Sequence, residues 1–197
     1  MGRYALLKRY EIMREEFVFP EKLPLAYAYP RKKPLPFVYR GLGREERDLY
    51  DPLADPLPEE AAALIGRLEE GTLSLPALWE DREKTLLYAS CFDGAEDYEC
   101  LFAAPPEEDA PEDLVLLGFD AGYAPEEELF SAVSDLFFFP LWQPDATGRA
   151  FSAEFRSLNE NGLFRTPEEA GAFAARCETV FGDGALLPLA IYLVPED

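Results

Sequence analysis

The sequence predicts an α+β fold, a mostly antiparallel sheet packed by about three helices within a single domain spanning residues 1–197. Three observations lead there. Apolar runs are interrupted by isolated helical stretches and do not alternate strictly with them, which argues against a doubly wound parallel sheet. Two apolar runs, Thr85–Phe92 and Tyr98–Ala103, flank the turn-like Asp93-Gly-Ala-Glu-Asp97 and read as a hairpin. A capped amphipathic helix near the end, Thr166–Phe181, lies between two apolar runs able to bury its stripe, Leu114–Phe119 and Leu186–Val194. With 48% hydrophobic residues in 197, the chain is long enough for one good core.

Taken in order, Arg3–Ile12 interleaves apolar and aromatic residues with Lys and Arg, as a first strand with one wet face would. Eight prolines follow between Pro20 and Pro58, accompanied by Tyr27, Tyr29, Phe37, Tyr39 and Tyr50. Proline at that density prevents long helices and central strands, so residues 1–56 read as a proline- and aromatic-rich basic segment packed on the domain. Its cations Arg31, Lys32, Lys33 and Arg40 could meet an anionic ligand; lying against the acidic body of their own chain explains them more simply. Pro58–Glu70 is a helix, with Ala61, Leu64, Ile65 and Leu68 as its buried face and Gly71 past its end. Leu73–Trp79 reads as a short link. If the hairpin turn centres on Ala95, Cys91 and Cys100 fall opposite one another or one step apart.

Ala104–Asp113 is a loop, because it holds no apolar residue larger than alanine, and Leu114–Phe119 is a buried strand. Pro125–Phe139 reads as a helix with Glu126, Glu127 and Glu128 at its positive end and Leu129, Val133, Leu136 and Phe137 as its stripe. Ala150–Phe155 is a short strand or a helical turn. Asn159, Asn161 and Gly162 tolerate turn conformations, so the chain bends sharply before Leu163-Phe164. Thr166 then caps the next helix, Pro167 sits where a missing N–H costs nothing, and Glu169 completes a capping box. Ala170, Phe173, Ala174, Cys177, Val180 and Phe181 form its stripe, and Gly182 or Gly184 ends it. Leu187–Val194 is apolar on both faces and is expected at the centre of the sheet.

Charge is unevenly distributed. Residues 1–40 hold nine Lys/Arg and four Asp/Glu, a net +5, whereas the remainder holds nine Lys/Arg and 35 Asp/Glu, a net −26. Such a body repels nucleic acid and anionic membrane and attracts basic partners, although excess carboxylates also serve solubility alone. The absence of histidine removes Ser-His-Asp and Cys-His catalysis, histidine-ligated metals and the usual near-neutral base. Three scattered cysteines fit neither a disulfide scaffold nor a four-cysteine zinc site. With no long apolar run and no secretory signal, the expected location is the cytoplasm, and no cofactor or metal is expected.

The carboxylate clusters are the remaining source of chemistry. Asp93–Asp97 lacks the ligand spacing of a calcium loop and fits an acidic turn. Glu107, Glu108, Asp109, Glu112 and Asp113, like Glu126–Glu128, could supply paired carboxylates for glycoside hydrolysis, yet a charge run is a solvated face unless two carboxyls are held across a cleft. The glycines of Gly118–Gly122 precede three glutamates that would repel phosphate. Asp120, expected at the carboxyl end of a buried strand, is the most interesting single carboxylate, with capping or a turn hydrogen bond as its simpler role.

Leu117-Gly-Phe-Asp120, then Leu158-Asn-Glu-Asn-Gly-Leu-Phe164, a helix and a final apolar strand together resemble the small acidic immunity proteins of bacterial toxin systems, over roughly the last 80 residues. The resemblance implies a non-enzymatic binder that occludes a cognate toxin, its carboxylates steering a basic toxin domain into contact while apolar anchors hold it. The expected contact residues are Asp93, Glu96, Asp97, Glu107, Glu108, Asp109 and Glu112, from two loops beside one sheet. The protein would act as a monomer or weak homodimer. The alternatives are a carboxylate-only enzyme such as a glycoside hydrolase, using Asp120 and a partner carboxylate, and a structural or assembly subunit.

Overall fold

The computed structural model describes residues 2–8, 57–91, 98–123, 130–132, 154, 157–159, 161–181 and 186–195. Within them the chain builds β1 (Arg3–Lys8), α1 (Glu59–Glu69), α2 (Leu75–Trp79), α3 (Arg82–Ala89), β2 (Tyr98–Ala104), β3 (Val115–Tyr123), β4 (Phe130–Ser131), α4 (Pro167–Phe181) and β5 (Leu187–Leu193). The strands form one sheet in the order β1-β2-β5-β3-β4, and every pairing is antiparallel. The α+β class is thus observed, with β5 at the centre where its two apolar faces require it.

Register assigns the two faces of the sheet. Leu6, Cys100, Phe102, Ala104, Ala190, Tyr192, Phe119 and Ala121 share one face, because Leu6 pairs with Cys100, Phe102 with Tyr192, Ala104 with Ala190, and Ala190 with Phe119. The four helices among the described residues pack there. Ala61 and Leu64 of α1, Leu78 and Trp79 of α2 and Tyr88 of α3 gather with the β1 and β2 residues, while α4 lies over β5 and β3. The other face carries Ala5, Leu101, Ala103, Leu189, Ile191 and Leu193, joined by Leu117 and Leu163.

Helix α4 begins as its sequence dictates. The Glu169 N–H donates to Thr166 Oγ1 at 3.2 Å, and Glu169 Oε2 reaches back to accept the Arg165 N–H at 3.0 Å. Ala170, Phe173, Ala174 and Cys177 are buried against Ala121 and Phe164, with the Phe164 and Phe173 ring centroids 5.1 Å apart.

Several expectations are corrected. The run Thr85–Phe92 is not a strand, because Arg82–Ala89 is α3, and the hairpin with Tyr98–Ala103 does not exist. Asp81 decides this locally: its Oδ1 accepts the Lys84 N–H at 3.1 Å, starting a helix in which Thr85, buried, donates its hydroxyl to the Leu78 carbonyl at 3.0 Å. The cross-strand pairing of Cys91 and Cys100 falls with the hairpin; both are free thiols in one core cluster. Leu73–Trp79, expected as a link, contains α2, capped by Ser74.

The last correction concerns Pro125–Phe139, which is not one helix. Phe130 and Ser131 pair with Tyr123 and Gly122, and ladder hydrogen bonds replace helical ones there. The stripe Leu129, Val133, Leu136 and Phe137 lies outside the described residues, as do Ile12, the proline-rich stretch through Pro56 with Arg31, Lys32, Lys33 and Arg40, and Gly182 and Gly184. Of Ala150–Phe155 only Glu154 is described.

Candidate functional site

The two short motifs of the sequence meet in space. At Leu117 the β3–β5 register slips, so Leu116 faces Tyr192 and Gly118 faces Ile191, leaving Leu117 as the extra residue of a bulge. The bulge exposes the Leu117 carbonyl to Asn159, whose Nδ2 donates to it at 2.7 Å, and more weakly to Asn161 Nδ2 at 3.4 Å. Asn159 Oδ1 accepts the Asn161 and Leu163 N–H groups at 2.9 and 3.1 Å, closing an Asx turn completed by Gly162 at φ +72°. Phe119 and Phe164 then exchange N–H···O bonds of 2.9 and 2.8 Å. Gly118 sits at φ +150°, and a Cβ there would stand 2.8 Å from both Leu163 Cβ and the Phe164 carbonyl. These motif residues therefore form a lock that fastens the α4 entry to β3.

Asp120 belongs to this inner structure. It lies in the middle of β3, which continues to Tyr123, and not at its carboxyl end. It is 2% exposed, and its Oδ1 accepts the Ala121 N–H at 2.7 Å.

The outer surface is set by the loop from Pro105 to Leu114 between β2 and β3. Two turn bonds shape it, Glu108 N–H to the Pro105 carbonyl at 3.0 Å and Leu114 N–H to the Pro111 carbonyl at 3.2 Å. Glu107, Asp109 and Glu112 are exposed, and Glu108 is partly covered. The loop's end is tethered: Asp113 forms an ion pair with Arg82, which also donates to the Pro195 carbonyl at 3.2 Å. One arginine at the start of α3 thereby fixes the loop to the end of β5. Beyond the tether, the strand expected to be buried opens with two exposed apolar residues, Val115 at 53% and Leu116 at 48%. Of the seven carboxylates expected to contact a partner, Glu107, Glu108, Asp109 and Glu112 share this loop, and Asp93, Glu96 and Asp97 lie outside the described residues.

No group of three or more Cys, Asp or Glu side chains is placed to hold a metal ion among the described residues. Burial pushes the Cys100 thiol up to about 12 against the pull of the Arg82 guanidinium, and burial raises Cys91 as well, so neither is a ready nucleophile. Sequence reasoning does not single out Arg82, Val115 or Leu116. The acidic Pro111-Glu-Asp113 leading into the strand is the one hint that it starts in solvent.

No helix among the described residues is long and apolar enough to cross a membrane. No protein-family model, curated protein or solved structure matches this chain.

Proposed function

We propose that the protein is an immunity protein: it binds a cognate bacterial toxin of basic charge and neutralises it by occlusion, from the cytoplasm and without catalysis of its own. The observation that carries the reading is the tethered acidic loop, in which Glu107, Asp109 and Glu112 stand in solvent immediately before the exposed Val115 and Leu116. Carboxylates in that position raise the encounter rate of a basic domain, and an apolar pair beside them supplies area that can be desolvated once contact is made. The net charge of −21 acts in the same direction on a basic partner. A toxin that acts on nucleic acid presents cations where phosphate would bind, and an acidic inhibitor can occupy that face.

The test begins with a tagged pull-down and identification of a stoichiometric basic partner encoded beside this chain. Co-expression should then abolish the partner's toxicity. The triple change Glu107→Lys, Asp109→Lys and Glu112→Lys should slow association about tenfold or more at low salt and weaken protection, with the melting temperature held. A partner without toxicity, or protection indifferent to the triple change, removes the support for this surface and its assignment.

A further inference from the structure

We propose that the outer edge of β3 at Val115–Leu116 is a docking edge that takes an extended, basic segment of the partner as an added antiparallel or parallel strand. The identity of that partner rests on the inhibitory reading above; the edge itself does not.

Backbone geometry comes first. The Val194 N–H donates to the Cys100 carbonyl at 3.0 Å, which makes Cys100–Val194 a hydrogen-bonded pair. Counting by twos along β5, Tyr192 and Ala190 also direct their peptide groups to β2, and Leu193, Ile191 and Leu189 direct theirs to β3. Leu116 and Phe119, opposite Tyr192 and Ala190, must therefore turn their N–H and C=O away from β5. Phe119 obeys, since both its groups bond Phe164. The outer side of β3 is then occupied at Leu117 by the two asparagines, at Phe119 by Phe164, and at Gly122–Tyr123 by β4. Among the described residues nothing pairs with the outer side of Leu116, whose side chain is nearly half exposed beside the more exposed Val115. This leaves, among the described residues, a short stretch of apolar strand edge with no strand on its outer side, of the kind that natural sheets otherwise blunt with charge or proline.

Charge selects the occupant. The edge begins where the acidic loop ends, with Glu112, Asp109 and Glu107 exposed upstream of it. A second copy of this chain would bring a net charge of −21 against the same sign, so edge-to-edge pairing of two copies is opposed. A segment alternating cationic and apolar residues satisfies both parts of the surface. Its main chain pairs with Leu116, its apolar side chains cover Leu116 on one face of the sheet, and its cations meet the loop.

The probe is a synthetic peptide of about seven residues, alternating lysine and valine, titrated into the isotope-labelled full chain and followed by amide NMR and hydrogen exchange. Binding should shift the amides of Leu114–Leu117 and slow exchange of the Leu116 N–H about tenfold or more. Methylating the peptide's pairing-side amides should weaken binding about tenfold. Leu116→Pro deletes only an outward N–H, a change an edge position tolerates, and should do the same while the Phe119 and Asp120 amides keep their positions. No shift, or shifts confined to the acidic loop with Leu116 exchange unchanged, overturns the docking edge and leaves the toxin-inhibitor reading standing. Slow Leu116 exchange in the free protein together with a homodimer by sedimentation overturns the stated occupant in favour of a second copy. Conversely, a peptide-binding edge in a chain whose captured partner is harmless sinks the inhibitor reading alone.

Discussion

Asn159 donates its side-chain amide to the carbonyl of Leu117 at 2.7 Å, 42 residues earlier in the chain, and thereby holds the turn that starts α4 against the bulge in β3. The same side chain accepts two N–H groups through Oδ1. Asn159→Ala abandons three bonds at a half-buried site, so it should cost about 1–3 kcal/mol in urea denaturation. Asn161→Ala, losing one bond of 3.4 Å, should cost less than about 1 kcal/mol. Equal losses would mean that the bond each side chain gives the Leu117 carbonyl, and not the Asx turn that only Asn159→Ala breaks, is what stabilises the junction.

Gly118 and Gly66 make opposite forecasts for the same substitution. At Gly118 a methyl group meets Leu163, the Phe164 carbonyl and Asn159 Nδ2 at 2.8–2.9 Å, in a backbone conformation that L-residues rarely adopt. Gly118→Ala should therefore destabilise by about 2 kcal/mol or more. Gly66 lies inside α1 with nothing within 4 Å of the place a Cβ would take, and Gly66→Ala should stabilise by about 0.5–1 kcal/mol. Chemical denaturation of the two variants side by side checks both signs.

The Cys100 thiol sets an alkaline limit. Its ordinary value is 9.0 and its folded value is raised to about 12 by burial, with Arg82 opposing. Between those values the folded chain keeps a proton that the unfolded chain has released, so this contribution to stability is complete below pH 9 and is lost as pH climbs toward 12. Tyr4, raised from 10.0 chiefly by burial, acts in the same direction. Denaturation midpoints at pH 8, 10 and 11, values chosen about those of the two groups, should fall with pH, and Cys100→Ala should flatten the decline. Thiol-reactive dyes at pH 8, about one unit below the ordinary thiol value, should label Cys91 and Cys100 only after unfolding.

Arg82→Met should loosen the loop with little global effect. Its pair with Asp113 is partly solvated, which limits the cost in overall stability to about 1 kcal/mol. Exchange of the Leu114 amide, bonded to the Pro111 carbonyl, should accelerate because both its tethers to α3 and to the Pro195 carbonyl are gone. Unaltered exchange there would show that the two loop turns hold without the arginine.

What could be read from sequence was what short-range chemistry determines. The Thr166–Glu169 cap spans three residues and forms as expected, and the stripe Ala170, Phe173, Ala174 and Cys177 is buried. The central place of β5 followed from a run with no polar face. Where a distant partner or a single cap decides, sequence was silent or misleading. Thr85-Leu-Leu-Tyr88 suits strand or helix until Asp81 starts the helix, and Phe130-Ser131 becomes a strand only because Gly122 and Tyr123 are there to pair with it. The same holds at the candidate site. The exposure of Glu107, Asp109 and Glu112 was legible from a loop lacking large apolar residues, whereas the Arg82 tether and the outward turn of Val115 and Leu116 depend on contacts remote in the chain.

Strands β2 and β3 follow one another in the chain yet never pair, since β5 stands between them. On the ribosome, this means that both nascent strands wait with β5's place vacant, however long the intervening segment takes to be made. Every contact that closes the sheet is long in sequence, so the closing step should be slow and should occur only after β5 has left the exit tunnel. Truncation of the chain before Leu187 would thus leave two half-sheets with apolar edges open to each other's neighbours, a substrate for chaperones and proteases more than a smaller folded protein.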